Sequence, residues 1–387
     1  MWVNFLHQCP FGLWGGRLSF GWPFTVTPGV WCDLTVTFPS ALVHQSSSST
    51  LPPLDFRSDT VTRPDNEMRV AMSQAEVGDN VLDTDPTVRA LEERAAELLS
   101  APAALWTPSG TMANLIALNV HLKRGDRFLA PRGAHVLSNE LGTAAWLAGG
   151  MPEALDWDAG PGRVSPEAVR GAADPPNRPY YALRTTVLCL ENTHNAAGGT
   201  VTAPHEHARL AAAARGAGLR VHLDGARLWH ASVALGVPPG ALTVGVDTVS
   251  ACFSKGLGAP AGSVVAGSTE FVEHARRVRQ MLGGGLRQAG VLAAAGLVAL
   301  DRIQELEQDH SNATALANGL TELGWDVREP ATNIVLASVP DVQITLDGLG
   351  KLGILATPMS GKVRFVMHRD VSTNDVTEAL HRIKTAG

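Results

Sequence analysis

The strongest constraint in this sequence is the order of two apolar runs with an alanine-rich stretch between them. "TVLCLEN" (186–192) and "RVHLD" (220–224) are short and continuously apolar, and "HEHARLAAAARGAG" separates them. A short apolar run without alternation suits a strand buried on both faces. The alanine-rich stretch has the propensity of a helix. Strand, crossover helix and strand in that order build a parallel sheet covered by helices. The pattern recurs along the chain. Asp85-Pro86 reads as an N-cap and first-turn proline, followed by Val88, Leu91, Ala95 and Leu98 at helical spacing up to "LLSAP". "AALW" (103–106) reads as a strand that "TPSGT" turns into the helix "MANLIALNVHL", ending at "KRGD". "DTVSACF" (247–253) is a further buried strand. The expected fold class is therefore α/β, a mostly parallel central sheet covered by helices. A long helix is expected over 286–318, then a smaller C-terminal α/β unit. This predicts a large domain over 54–305 and a small one over 306–387.

Residues 1–53 differ from the rest, with four of the nine Trp, a single Arg and no Lys, and they end in "HQSSSSTLPP". No helical or strand period persists there and no secretory pattern is convincing. The segment reads either as a loosely structured extension on a Ser/Pro linker or as leader upstream of the natural start. The net charge of −6 gives no broad basic surface for nucleic acid. Runs such as "GVLAAAGLVAL" are too short for a membrane span. The four Cys show neither CxxC nor zinc spacing, so no metal is expected, and Cys189 and Cys252 read as buried free thiols. The expected compartment is the cytoplasm.

In a parallel sheet, ligands sit beyond the carboxyl ends of the strands. Four strand ends carry polar residues: "TPSGT", "ENTHN", "DGARLWH" and "SKG". Singly, each has a structural reading. Ser109-Gly110-Thr111 can cap a helix, His194 can be a satisfied core histidine, Asp224 a helix cap and Lys255 a solvated lysine. On consecutive strand ends, they match the needs of one cofactor, pyridoxal phosphate. Its aldehyde needs a lysine amine, its ring nitrogen an acidic partner, and its phosphate N–H groups and hydroxyls at a helix N-terminus. Lys255, Asp224, and Gly110 with Thr111 fit these in turn, and His135 of "RGAHVLSNE" offers a flat partner for the ring. Lysine usage narrows the amine further. The chain has 26 Arg but only five Lys, and of Lys123, Lys255, Lys351, Lys362 and Lys384 only Lys255 stands at a sheet strand end.

The blocks "LDFRSDTVTRP", "VGDN…DPTVRALE", "TPSGTMANLIAL", "GAH", "LENTHN", "HLDGARLWHA", "SKGLGAPAGSVVAG", "GGGLRQAG" and "LAAAGLVAL", in this order, closely resemble the L-threonine aldolases of low-specificity type, which have the aspartate-aminotransferase-like fold (fold type I). The resemblance covers about residues 54 to 385. It implies that Lys255 carries the cofactor as a Schiff base, that Asp224 pairs with the ring nitrogen and that His135 stacks on the ring. It further implies that Ser109, Gly110 and Thr111 hold the phosphate, and that Arg287 of "GGGLRQ" reaches a phosphate across a subunit interface. Ser58, Arg227 and Arg364 are implied to grip the substrate carboxylate, a task that suits the arginine fork. The implied reaction is cleavage of L-threonine or L-allo-threonine to glycine and acetaldehyde, with His194, His135 or a water they hold as the base. The implied assembly is a homotetramer, a dimer of dimers with active sites at the dimer interface.

Two positions depart from the family pattern. Val81-Leu82-Asp83 replaces the usual Val-Tyr-Gly beside the active site, and Gln280 stands where a basic residue is expected to help the phosphate. Three other functions fit the same residues: an aldolase for another β-hydroxy amino acid such as phenylserine, a β-eliminating amino-acid lyase, and a catalytically silent cofactor-binding protein.

Overall fold

A computed structural model describes residues 53–175 and 177–386. The extension expected over 1–53 therefore falls, except for Pro53, outside the described residues. In chain order the first eight strands are β1 (Leu54–Asp55), β2 (Ala103–Thr107), β3 (Asp126–Pro131), β4 (Met151–Leu155), β5 (Arg184–Glu191), β6 (Arg220–Gly225), β7 (Thr248–Cys252) and β8 (Ser263–Gly267). All but β1 form one seven-stranded sheet in the order β2-β8-β7-β6-β5-β3-β4. The β3/β4, β3/β5, β5/β6 and β6/β7 pairs are parallel, while β8 runs antiparallel to β7 and β2.

β5 shows why the sheet is buried on both sides. Successive side chains of a strand point to opposite faces. Val187 and Cys189 pack with Leu115 and Leu118 of the helix Gly110–His121. Leu188 and Leu190 pack with Leu210, Ala211 and Ala214 of the helix Pro204–Gly216. Each such side chain contributes roughly 1.5–3 kcal/mol by leaving water, which explains an apolar run without alternation. β3, β4 and β8 carry no strand signal of their own in the sequence. Proline interrupts β3 and the exposed edge strand β4, and β8 is five residues long beside a glycine-rich turn.

The long helix expected over 286–318 is two helices, Gly290–Leu300 and Leu306–Glu322, with a 3-10 turn at Ile303–Glu305 between them. The break serves packing. Gly290–Leu300 packs wholly in the core of the large sheet, whereas Leu316, Ala317 and Leu320 belong to a second core. At the bend Arg302 leaves helical geometry and pairs with Asp65 and Glu67.

That second core lies on β9 (Asp326–Val327), β10 (Ile334–Ser338), β12 (Thr357–Met359) and β13 (Lys362–Val366), an antiparallel sheet in the order β12-β13-β10-β9. β11 (Ile354–Leu355) pairs instead with β1, in parallel. Phe56 meets Phe365 edge-on at 6.0 Å. The start of the described chain is thus tied to its C-terminal sheet, which carries residues 57–62 to the carboxyl ends of the large sheet. On β13 the pleat sends Val363 and Phe365 into this core and leaves Arg364 on the opposite face.

Candidate active site

Four chain segments meet at two buried guanidiniums. Asp59, fully buried, accepts two bonds of 2.7 Å from Nε and Nη2 of Arg227. Arg227 follows β6 and opens the helix Leu228–Leu235. Its Nη1 donates to Asn195 Oδ1 at 3.3 Å, and Arg364 Nη2 donates to the same oxygen at 2.9 Å. Arg364 also donates to the Arg57 carbonyl, and its buried Nε has no acceptor. Glu191, at the end of β5, holds this arrangement by accepting the backbone N–H groups of Asn195 and His135. Burial alone would raise the Asp59 carboxyl, but Arg227 outweighs it and holds the group well below the usual range. Burial, with Arg227 nearby, pulls Arg364 down to about 10. Two buried cations thus face the buried carboxylate of Asp59, and that of Glu191 also acts on Arg227. The idle Nε of Arg364 suits an incoming carboxylate.

Lys255 lies three residues past β7 and is half-buried rather than fully buried. Its backbone carbonyl accepts from Thr62 Oγ1 at 3.0 Å and from Gly258 N at 2.8 Å. Its charge acts on Asp59, His135 and His230. The lysine therefore stands among the groups just described. Beside it, Ser109 caps the helix Gly110–His121 by accepting from Met112 N. The first N–H groups of a helix have no partner within it, so those of Gly110 and Thr111 face outward. Gly110 is required there, because a Cβ would come within 2.6 Å of Cys252 Sγ at the end of β7.

Asp224, almost fully buried on β6, accepts from Asn114 Nδ2 at 2.8 Å and from Ala226 N at 3.0 Å. Asn114 Nδ2 also reaches Glu140 Oε1 at 2.9 Å, and that oxygen lies 2.8 Å from His135 Nδ1. One ligand atom each of His135, Glu140 and Asp224 lies within 4.8 Å of the others. The bond to Glu140 raises the His135 pKa against the effect of burial, and burial raises that of Glu140. With Nδ1 directed at Glu140, Nε2 of the half-exposed ring is the nitrogen left for a ligand.

Other predicted residues lie at or beyond the edge of this cluster, and Ser58 Oγ reaches it by donating to Asp59 Oδ1 at 3.5 Å. Ser58 Oγ accepts from Thr60 N and Thr60 Oγ1, capping the turn that places Asp59. His194 is buried against Trp157, and its Nδ1 accepts from Ala197 N. Its buried Nε2 has no partner among the described residues. Arg287 is exposed and pairs with Asp79 at 3.1 Å. Residues 79–83 contact that same region: Asn80 N donates to the Arg287 carbonyl, and a Cβ on Gly285 would meet Val81. Asp83, where the family pattern has Gly, adopts the left-handed conformation at φ 60° and pairs with Arg276. Aspartate tolerates that region better than most residues, so the departure leaves the turn intact. Gln280 is exposed beside Gly285. Sequence reading missed Asp59, Asn114, Glu140, Glu191 and Asn195. All five sit inside quoted motifs, but Asn114 and Glu140 read there as ordinary helix and loop residues.

These residues fit pyridoxal phosphate: an amine, a buried acid, a flat imidazole and a glycine-lined helix start with free N–H groups. A family model described as beta-eliminating lyase matches residues 55–341. Low-specificity L-threonine aldolase 1 of Arabidopsis thaliana is 41% identical over 334 residues, covering 84% of this chain and 93% of that protein. The low specificity L-threonine aldolase of Escherichia coli K12 is 40% identical over 331 residues, covering 84% and 96%. The solved structure of Leishmania major threonine aldolase superposes with a TM-score of 0.75 at 18% identity, over 87% of this chain and 100% of that one. At that identity the likeness is one of fold, and it is the aspartate-aminotransferase-like fold type I expected from the sequence. The chain belongs to the beta-eliminating lyase family, which it shares with the low-specificity L-threonine aldolases.

Proposed function

We propose that this chain is a pyridoxal-phosphate-dependent aldolase that cleaves L-threonine and L-allo-threonine to glycine and acetaldehyde. The observation that carries this reading is the pair of buried guanidiniums, joined through Asn195 and with the Nε of Arg364 idle, beside the half-buried Lys255. It is supported by the names of relatives at about two-fifths identity.

Bound here, the cofactor would supply an electron sink for the pair released from the Cα–Cβ bond. Lys255 would supply the amine that attaches to it, Asp224 the acceptor for its ring nitrogen, His135 the flat partner for its ring. Ser109 and the N–H groups of Gly110 and Thr111 would donate to its phosphate. Arg227 and Arg364 take the substrate carboxylate, with Asn195 spacing them and Ser58 at the rim. Held at that end, the substrate can present Cα–Cβ as the bond to break, which is catalysis by orientation. His135 Nε2 takes the β-hydroxyl proton, and Glu140 steadies the ring through Nδ1.

Arg287 is proposed to act on a second copy, in a homotetramer built as a dimer of dimers. The exposed apolar side chains Leu82, Met281 and Leu286 around it support a covered surface. The large sheet within 54–305 and the small sheet within 306–387 are proposed as the cofactor and substrate-closing domains. No helix among the described residues is long and apolar enough to cross a membrane. The free thiols Cys189 and Cys252 support a reducing compartment, the cytoplasm.

The test is acetaldehyde and glycine release from L-threonine, L-allo-threonine and D-threonine by the cofactor-loaded protein. Release from the L substrates alone is expected. Pyruvate and ammonia from serine would replace this reading by β-elimination, turnover of phenylserine alone would reassign the substrate, and bound cofactor without any turnover would mark a silent protein.

A further inference from the structure

Behind Asp224 a line of buried polar side chains crosses the sheet, and it meets the candidate site through one amide, that of Asn114, which donates to both Asp224 and Glu140. Asn114 Nδ2 donates to Asp224 Oδ2 at 2.8 Å. Asn114 Oδ1 lies 3.1 Å from His222 Nε2 and accepts from Ser250 Oγ at 2.8 Å. His222 Nδ1 lies 3.0 Å from Thr248 Oγ1, which lies 2.9 Å from His121 Nε2. His121 opens on a cleft of about 570 Å³, lined also by His274, Glu270, Arg220 and Asp247, at the opposite end of the strands.

Valence fixes the direction of every bond. The two carboxylates, Asp224 and Glu140, each need a donor, so both N–H bonds of Asn114 point to them and its carbonyl faces His222. His222 must then donate from Nε2. Its burial lowers the imidazole to about 4, so the ring is neutral and Nδ1 is bare. Thr248 therefore donates to Nδ1 with its only proton, and must accept from His121 Nε2. All donors run one way, toward Asp224, and dipoles in such a chain reinforce one another. Asn114 makes all four bonds available to it, which fixes the amide that carries the last link.

We infer that Asn114, His222 and Thr248 are positioning residues that aim a one-way chain of donors at Asp224 and so hold it as the acceptor for the cofactor's protonated ring nitrogen. This rests on the reading of Asp224 as the ring-nitrogen partner. The other groups facing Asp224 are His135 and Glu140 from one side and the Cys189 thiol, pushed well up by burial, from β5. Lys255 acts on the same His135. Neither His222 nor Thr248 bonds any of these directly; a change there reaches Glu140 only through the Asn114 amide it shares with Asp224.

The experiment uses the full chain loaded with pyridoxal phosphate labelled with ¹⁵N in its ring. The ring-nitrogen chemical shift is followed between about pH 6 and 9, the span over which a shift of one pH unit is readable. His222→Phe removes both bonds of that ring, and Thr248→Val removes only the hydroxyl. In both variants the midpoint of ring-nitrogen deprotonation is expected to fall, by up to about one pH unit for His222→Phe, the scale of one hydrogen bond between neutral groups. His222→Gln, whose amide can still donate to Asn114 Oδ1, restores most of the wild-type midpoint. A wild-type midpoint in His222→Phe and Thr248→Val with the cofactor bound overturns the inference; if His222→Phe does not fold, Thr248→Val decides alone. Failure of the wild-type chain to bind the cofactor overturns the reading of the site itself, which keeps the two failures apart.

Discussion

Asp59→Asn keeps the shape of the side chain at the centre of the proposed carboxylate grip and removes its charge. In the native fold Asp59 is fully buried, and both its oxygens accept from Arg227 at 2.7 Å. The Arg227 side chain is 6% exposed, so solvent screens the pair little. An asparagine oxygen can accept one of the two bonds, but its NH₂ would face a guanidinium. Arg227 and Arg364, joined through Asn195, would then be two buried cations without a bonded carboxylate, with Glu191 acting on Arg227 through its charge alone. Removing one partner of a buried pair typically costs about 3–5 kcal/mol, because the other charge is left uncompensated. Urea unfolding of the cofactor-free protein should lose that amount. The double variant Asp59→Asn/Arg227→Met should recover part of it, because the orphaned charge goes too. Stability from Asp59 is present above the ordinary aspartate pKa and lost as pH falls through its depressed folded value; the variant should lack that acid limb. A loss below about 1 kcal/mol, the range of an exposed pair, would refute the account of a buried, charge-hungry site.

Asp309 offers a pH test of opposite sign. It is 3% exposed, its Oδ2 has no partner, and burial raises its pKa from 3.8 to about 8. Between those values the folded state holds a proton that the unfolded chain has released, so stability falls as pH rises through that window. Asp309→Asn should flatten that fall and stabilise the protein by a few kcal/mol at about pH 8, read from urea midpoints across pH; an unchanged slope would contradict it. Arg364→Lys keeps a charge but loses the fork that reaches both Asn195 and a carboxylate. The KM for L-threonine should rise roughly tenfold or more, the scale of one charge-assisted bond, with a smaller change in kcat. An unaltered KM would remove Arg364 from the grip.

The sheet was legible because β5, β6 and β7 are buried on both faces and so appear as unbroken apolar runs. Lys255 and Asp224 were legible because a charge at the end of such a run is conspicuous. The helix break at 301–305 was not, because a tertiary ion pair and a change of packing partner cause it, and neither leaves a Pro or Gly. Asn114 was hidden for a similar reason. It lies on a helix whose neighbours Leu115 and Leu118 are core residues, and only the fold brings Asp224, 110 residues away, to its amide. Asp59 lay within "FRSDT", yet the eye went to Ser58, whose hydroxyl turns out to cap the turn that sets Asp59 in place. The choice between His135 and His194 needed bond directions, which sequence does not carry.

The central claim is that Lys255 is the amine that takes the cofactor, and reductive fixation tests it directly. The protein is loaded with pyridoxal phosphate, treated with borohydride, digested and mapped by mass. The account predicts one pyridoxyl adduct, on the peptide that carries Lys255, and none in Lys255→Ala, which should also lose aldolase turnover. An adduct spread over Lys123, Lys351, Lys362 and Lys384, or full turnover in Lys255→Ala, would contradict it.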